Sequence, residues 1–175
     1  LYRRCGSRRV FTYNSIIKSL LKNKPDVNLQ CSYGCTALMC ACKNSFWDAI
    51  HLLIINKANV NLQNLDGWTA LMFACENSDL DTVKLLIRKG SNVNLQNDLK
   101  NTALTIAIQH FSSNTFEIVK VLLENGADPN LCDVDDNTAL TMTIQMYDLE
   151  DRFKLINLLV DKIVNFKTTN ILNVD

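Results

Sequence analysis

The triplet Thr-Ala-Leu recurs four times along this chain at nearly constant spacing. Its copies begin at Thr36, Thr69, Thr102 and Thr138, so two intervals are 33 residues and the third is 36. An Asn-Leu pair follows the same rhythm, beginning at Asn28, Asn61, Asn94 and Asn130. Self-similarity at a fixed period of about 20 to 50 residues predicts stacked repeats, because one such unit cannot bury its apolar face alone.

The unit from Asn64 to Gln96 carries the pattern most completely. Its recurring residues are Gly67, Thr69, Leu71, Ala74, Val83, Leu85, Leu86, Gly90, Val93 and Asn94. This pattern resembles the ankyrin repeat, and the segment 126–130, Gly-Ala-Asp-Pro-Asn, is close to the family's ending. The resemblance covers the chain from about Thr12 onward. It implies an all-α solenoid of helix-turn-helix units joined by β-hairpin-like loops.

The repeat divides one domain, residues 1–175, into a series of units. We expect a basic tail at 1–11, a partial repeat at 12–30, repeats at 31–63, 64–96, 97–132 and 133–166, and a tail at 167–175. The last two repeats contain insertions, which we place near Gln109 to Thr115 and around Met146 to Arg152. Because the chain begins at Leu1 rather than Met, we expect it to belong to a longer protein.

Local signals within the units predict how their helices and turns form. Thr36 is placed to cap a first helix, because a threonine hydroxyl satisfies free N–H groups of an opening turn. The turn glycine of the earlier units is replaced by Lys100 and Asp136. Glycine tolerates left-handed backbone conformations. We therefore expect these two turns to be looser without a change of fold.

Charge and hydropathy exclude several classes of partner. Lys plus Arg and Asp plus Glu both number 18, so no net charge attracts nucleic acid or an anionic membrane. No apolar run reaches the roughly 20 residues of a membrane span. We expect a monomeric, intracellular and cytoplasmic protein that binds neither nucleic acid nor membrane.

The seven cysteines and two histidines do not form a recognisable catalytic or metal site. Cys42 and Cys75 occupy the same repeat position, where they are interpreted as small core residues in a reducing compartment. Cys40 and Cys42 alone cannot supply four metal ligands. His51 is interpreted as solvent-facing and His110 as a plain polar residue. We expect no catalytic residue, no metal and no cofactor, and hence a protein that is not an enzyme.

The resemblance implies that partners bind a concave face built from hairpin tips and first helices. The candidate partner-binding residues at these positions are Tyr33, Leu65, Asp66, Trp68, Glu76, Asn77, Leu99 and Asn101. Trp68 is the most informative, since exposed tryptophans dominate binding hot spots. The alternative is that Trp68 packs flat along its neighbouring hairpin. Trp47, at the start of a second helix, is interpreted as structural.

Three functions remain open from the sequence. The first is non-catalytic binding of a protein partner through the hairpin tips and the concave face. The second is a regulatory or targeting segment of a larger multidomain enzyme. The third is binding of a small ligand such as a nucleotide, with Trp68 stacking and Lys100 holding phosphates.

The repeated asparagines Asn28, Asn61, Asn94 and Asn130 are expected to form hydrogen bonds within the hairpin between units. Each follows a leucine by eight positions. In the ankyrin resemblance this spacing also looks like a target for asparaginyl hydroxylation, which makes a hydroxylase a second candidate partner.

Overall fold

The computed structural model describes the main chain of residues 26–145 and 149–172, and the side chains of 26–145 and 152–163. Within these residues the chain forms helices in chain order: α1 Ala37–Lys43, α2 Trp47–Ile55, α3 Ala70–Glu76, α4 Leu80–Arg88, α5 Ala103–Gln109, α6 Thr115–Glu124, α7 Ala139–Ile144 and α8 Leu149–Leu172. The basic tail 1–11 and most of the partial repeat 12–30 lie outside the described residues.

The helices pack in two layers, one built from the first helix of each repeat and one from the second. In the first layer α1 contacts α3, α3 contacts α5 and α5 contacts α7. In the second layer α4 contacts α6 and α6 contacts α8. Each first helix also contacts the second helix of its own repeat. The predicted all-α solenoid is therefore confirmed.

The core lies mainly between these two layers. The first helices α3 and α5 are buried along nearly their whole length, because neighbouring helices cover them on several sides. The second helix α4 buries one face only, through Thr82, Val83, Leu85 and Leu86. In α8, Leu155 and Leu159 are fully buried four positions apart, which is the spacing of one helix face.

Each first helix begins with the same reciprocal cap, as the sequence predicted for Thr36. Thr36, Thr69, Thr102 and Thr138 accept the main-chain N–H three positions on at 3.2–3.3 Å. In α5 and α7 a threonine hydroxyl accepts the N–H of the capping residue at 2.9 and 2.8 Å. In α1 and α3 the N–H of the capping threonine donates instead to a methionine sulfur at 3.4 Å. The recurring Thr-Ala-Leu triplet is thus a helix start.

We call the turns at 31–35, 64–68, 97–101 and 133–137 tips 1 to 4. The fourth residue of every tip is left-handed, with φ of +74°, +76°, +57° and +60° at Gly34, Gly67, Lys100 and Asp136. Lys100 and Asp136 therefore keep the left-handed turn that glycine forms in tips 1 and 2. A Cβ on Gly34 would lie 2.7 Å from Leu65 N, so glycine is required where adjacent tips are this close.

The insertions change the connections between helices rather than the stacking. The connection between α5 and α6 is 110–114, against 77–79 between α3 and α4, which places the third repeat's insertion where the sequence predicted it. In the fourth repeat α8 already begins at Leu149, so part of the predicted insertion is helical. Residues 146–148 lie outside the described part of the chain.

The last helix is longer than the sequence analysis allowed. Helix α8 continues to Leu172, so most of the segment 167–175, which we expected to be a tail after the last repeat, is helical. The physical reason is the absence of a stop signal. Helix α4 ends just before the left-handed Gly90 and α6 just before the left-handed Gly126, whereas no glycine or proline follows Leu149.

Candidate functional site

Each of tips 2 to 4 is held by the side chain of its first residue. Asn64 Oδ1 accepts the N–H of Asp66 at 3.1 Å and that of Trp68 at 2.7 Å. Asn97 does the same for Leu99 and Asn101, at 3.0 and 2.9 Å. A side chain that satisfies two N–H groups of one turn fixes its shape. The tips therefore present their outer residues on a rigid support.

Asp133 performs the same role in tip 4 with a carboxylate. Its Oδ1 accepts the N–H groups of Asp135 and Asn137, both at 2.9 Å. Burial by itself raises the pKa of Asp133, but these N–H groups and the Asn137 amide outweigh burial and hold the pKa below its ordinary value. The tip-4 turn is therefore most stable with Asp133 ionised.

Main-chain and glutamine hydrogen bonds join successive tips. The N–H groups of Leu65, Asp98 and Val134 each donate to a carbonyl of the preceding tip at 3.1 Å. Gln63 Nε2 donates to the carbonyls of Gly67 and Gln96, at 2.7 and 2.9 Å, and thereby joins two tips. Gln30 and Gln96 make the corresponding bonds. The sequence analysis missed this ladder, whose only signal is a glutamine after three of the Asn-Leu pairs.

A groove of 470 Å³ lies between tips 1 and 2 and helices α1 and α3. We call it the tip groove. Its lining residues are Tyr33, Cys35, Met39, Cys40, Lys43, Asn64, Asp66, Trp68, Phe73 and Glu76. The groove therefore brings together four of the predicted partner-binding residues, namely Tyr33, Asp66, Trp68 and Glu76.

Trp68 forms an aromatic wall of the tip groove. It is half-buried and stacks on Phe73, with ring centroids 4.9 Å apart and an interplanar angle of 28°. The Lys43 ammonium lies over the Phe73 ring, 5.5 Å from its centroid. The Trp68 side chain is therefore partly exposed to solvent and partly packed against Phe73. Lys100, which a nucleotide site of the kind considered above would need, is not part of this lining.

The remaining predicted site residues divide into exposed tips and structural positions. Leu65 and Leu99 are 69% and 58% exposed and lie at tip apices, outside the groove. Asn77 donates to the carbonyls of Cys42 and Lys43, at 3.0 and 2.8 Å, and so joins α3 to the preceding repeat. Val134, 50% exposed at the apex of tip 4, was missed because its tip is otherwise polar.

The side chain of Asn101, predicted above to bind a partner, is buried. Asn101 is 7% exposed, and its Oδ1 accepts hydrogen bonds from Thr105 Oγ1 and Gln109 Nε2, both at 3.2 Å. The side chain folds back over the start of α5 because those two donors lie on the helix face directly behind the tip. It therefore supports the tip from within.

Acidic residues predominate around the groove and along the tips. The exposed charged residues of the described tips and first helices are Asp66, Asp98, Asp135 and Asp136, against Lys43 and Lys100, and Glu76 is half-buried. The chain as a whole carries no net charge, so the acidic excess belongs to this part of the described surface and not to the composition. In the groove lining itself, two carboxylates, Asp66 and Glu76, outnumber the one ammonium group of Lys43, and an excess of one sign of charge attracts oppositely charged partners.

The cysteines and histidines of the described residues form no metal site. Cys42 and Cys75 are buried in the core, as predicted, and burial raises the pKa of both thiols, to about 12 for Cys42. Among the residues that the structure describes, no three His, Cys, Asp or Glu side chains cluster in a way that could hold a metal ion. His110 is exposed and ends α5.

The interpretation of His51 as solvent-facing is wrong. His51 is half-buried, and its ring meets Trp47 edge-on with centroids 4.5 Å apart. Lys84, at the same repeat position, has a long flexible stem that can reach water, whereas the shorter imidazole lies against the indole. Trp47 itself is 42% exposed on the second-helix layer.

Three of the four repeated asparagines form hydrogen bonds to the next hairpin along the chain, and not within their own hairpin as predicted. Asn61 Oδ1 accepts the Asn92 N–H at 2.7 Å, and its Nδ2 donates to the Gly90 carbonyl at 2.9 Å. Asn28 and Asn94 accept from Asn59 and Asp128 in the same way, at 2.7 and 2.8 Å. Asn130 instead bonds to Asp128 within its own loop.

Comparison with known families agrees with this architecture. A model of the ankyrin repeats matches in three overlapping copies, at residues 9–97, 46–133 and 75–170. The chain belongs to the ankyrin-repeat family. Ankyrin repeats are generally protein–protein interaction modules and are typically non-catalytic. In a comparison with curated proteins, none matches this chain. None of the helices in the described residues is both long and apolar enough to cross a membrane.

Proposed function

We propose that this ankyrin-repeat protein binds a protein partner without catalysis, using its hairpin tips and first helices, and that the tip groove is the anchoring site. The observation that carries the proposal is the Trp68–Phe73 stack, in which the half-buried Trp68 extends from the core-packed Phe73 to line an open groove. Buried tryptophan contacts account for a large share of the binding free energy in protein interfaces.

The residues around the groove favour a particular kind of partner segment. The apolar lining suits one large apolar side chain, while Asp66 and Glu76 favour basic residues beside it. The exposed side chains of Leu65 and Leu99 extend the contact surface along the tips. We therefore expect a basic segment that places an aromatic or aliphatic anchor next to Trp68.

The test is selection of peptides that bind the whole chain from a random displayed library. The selected peptides should combine lysine or arginine with a large apolar residue. Trp68→Ala should weaken their binding by about 2 kcal/mol or more, which is roughly thirtyfold in Kd. Trp47→Ala is the matched control, because Trp47 lies on the second-helix layer, and it should leave Kd unchanged.

Fluorescence reports directly whether the groove is occupied. The chain has 2 tryptophans, so Trp47→Phe leaves Trp68 as the only indole. Peptide binding to that variant should shift the Trp68 emission. A selected peptide that binds Trp68→Ala as tightly as the unchanged protein, with no emission shift in Trp47→Phe, would refute the proposed site.

The charge of the surface has its own test. Raising the salt concentration should weaken binding of the selected peptides several-fold, because exposed charges are screened within about 8–10 Å at 0.1–0.15 M salt. Asp66→Asn should reduce this salt dependence, whereas Glu117→Gln, at an exposed position of α6, should not. Equal salt dependence in both variants would contradict the proposed role of the acidic surface.

A further inference from the structure

Tip 1 shares the geometry of the other tips but has cysteines at its two key positions. Cys31 stands where the other tips have Asn64, Asn97 and Asp133, and Cys35 stands where they have Trp68, Asn101 and Asn137. The main-chain bonds are the same. The Cys31 N–H donates to the Cys35 carbonyl at 3.0 Å, and the Gly34 N–H donates to the Cys31 carbonyl at 2.8 Å.

This turn can bring the first and last side chains of a tip together. In tip 4, which has the same turn, Asn137 Nδ2 lies 3.4 Å from Asp133 Oδ2. In tip 1 the Cys35 thiol is hydrogen-bonded to the Cys31 sulfur, so the two sulfurs lie next to each other. The two thiols of tip 1 are therefore placed to react with each other.

The Cys31 sulfur occupies the cradle that a side-chain oxygen fills in the other tips. The N–H groups of Tyr33 and then of Cys35 donate to it and lower the pKa of Cys31, with a smaller contribution from the Cys35 thiol. Cys31 is exposed, so a solute can reach it. An exposed thiol with thiolate character beside a second thiol is the arrangement that reacts selectively with oxidants.

The neighbouring cysteines lack this combination. Burial raises the pKa of Cys42 and Cys75, which are inaccessible in the core. Cys40 is exposed, but partial burial and then the nearby Cys35 and Cys31 raise its pKa. The geometry therefore distinguishes one pair of thiols within the described chain.

We propose that Cys31 and Cys35 form a reversible disulfide across tip 1 when the protein meets a hydroperoxide. The Cys31 thiolate attacks one peroxide oxygen, the O–O bond breaks, and the leaving oxygen takes up a proton, which gives a sulfenic acid and, from hydrogen peroxide, water. The Cys35 thiolate then attacks the Cys31 sulfur, the S–S bond forms, and hydroxide leaves and is protonated by the proton that Cys35 lost. Two thiols are oxidised by two electrons, and the peroxide is reduced to two waters.

The modification site does not depend on the proposed partner binding, although it adjoins the tip groove. Cys35 lines the groove and accepts a hydrogen bond from Asn64 Nδ2 at 3.7 Å. Tyr33, 75% exposed, lies between the two cysteines. The disulfide would remove the thiol proton of Cys35 and constrain the turn that carries Tyr33.

The experiment uses the full chain, reduced and then exposed to one equivalent of hydrogen peroxide. Remaining thiols are alkylated, and cleavage after Lys22 and at Met39 releases peptide 23–39, which carries Cys31 and Cys35 but no other cysteine. We expect this peptide to lose two hydrogens and to be protected from alkylation. Dithiothreitol should reverse both effects.

Variants identify the step that each thiol performs. Cys31→Ser should abolish the disulfide, and Cys35→Ser should trap a sulfenic acid at Cys31 that dimedone labels. Cys40→Ser is the matched control and should leave the disulfide intact. Before oxidation, iodoacetamide at pH 7 should alkylate Cys31 at least about threefold faster than Cys40, because the thiolate is the reacting form.

Three results would overturn the proposal. One is a disulfide that joins Cys31 to any cysteine other than Cys35. Another is a peptide 23–39 that keeps both thiols after the peroxide has oxidised other cysteines. The third is alkylation of Cys40 as fast as Cys31. The first two results can be detected by the peptide map of the unchanged protein, so the test holds even if a variant fails to fold.

Discussion

Gly67 and Gly90 adopt similar left-handed conformations in different surroundings. Their φ values are +76° and +86°. A Cβ on Gly67 would lie 2.7 Å from Asn97 Cα in the next tip, whereas a Cβ on Gly90 would have no neighbour within 4 Å. Substitution of Gly90 therefore tests backbone strain alone, whereas substitution of Gly67 tests backbone strain and steric conflict together.

We predict that Gly67→Ala destabilises the protein more than Gly90→Ala does. Both substitutions incur the cost of a left-handed non-glycine residue, about 1–2 kcal/mol. Only Gly67→Ala also pushes against the main chain of tip 3. Urea unfolding of the two variants measures the difference in the free energy of unfolding. Equal losses of unfolding free energy in the two variants would mean that tip 3 moves away from the added methyl group without a cost in stability.

The second prediction at this scale concerns pH and Asp133. The pKa of Asp133 in the folded protein is lower than its ordinary value of 3.8. A lowered pKa contributes stability that is present above about pH 4 and is lost as the pH falls through the folded-state pKa. Asp133→Asn keeps the turn, because Asn64 and Asn97 hold tips 2 and 3 in the same way.

The measurement is the free energy of unfolding at pH 5 and at pH 2.5 for the unchanged protein and for Asp133→Asn. The difference between the two pH values should be smaller in the variant. Asp135→Asn, which changes an exposed carboxylate of the same tip, is the control and should retain more of the pH dependence. The same pH dependence in all three proteins would contradict the role given to Asp133.

At the scale of the helix, the second helices contribute stability through one buried face. Leu86 of α4 is fully buried, while Ile87 beside it is half-buried. We predict that Leu86→Ala costs roughly 2–5 kcal/mol, because it leaves a cavity in the core. Ile87→Ala should cost less. Thermal unfolding monitored by circular dichroism checks both, and an unchanged Tm for Leu86→Ala would contradict the assigned repeat register.

Helix starts were easier to predict from the sequence than helix ends. The start of each first helix is marked by a threonine whose hydroxyl accepts the main-chain N–H three residues further on. This signal is local in the sequence. An end depends on whether anything stops the helix. Helix α8 reaches Leu172 because no left-handed glycine intervenes, although the repeat pattern fades earlier.

At the scale of the molecule, stability depends on the coupling of neighbouring repeats. Gln63 donates to the carbonyl of Gly67 in tip 2 and to that of Gln96, which directly precedes tip 3, whereas the corresponding position before tip 4 is Cys132, which has no amide. We predict that Gln63→Met, which keeps the length of the side chain and removes its donor, costs about 1–3 kcal/mol because two carbonyls lose a partner.

In a stack of repeats, weaker coupling also broadens the unfolding transition. Gln63→Met should therefore lower the apparent m-value in urea as well as the transition midpoint. Gln145→Met, at the exposed end of α7, is the matched control and should change neither quantity. A lower midpoint with an unchanged m-value would show that Gln63 stabilises its own tip and does not couple it to the next.

The sequence by itself determined the repeat, its period, the capping threonines, the buried leucines and the place of the third repeat's insertion. These features depend on residues within one repeat, whose spacing fixes which side chains share a helix face or a turn. Repetition of the same spacing then determined the stack, because each repeat needs a neighbour to cover its apolar face.

Only the tertiary structure decided which of the tip residues are available to a partner. The tip groove, the inward turn of Asn101, the glutamine ladder and the pairing of Cys31 with Cys35 depend on distances between side chains. Most of those side chains lie in neighbouring repeats, about one period apart in the sequence. The repeat pattern specifies that repeats stack, but the orientation of each side chain at their junction follows from packing in three dimensions.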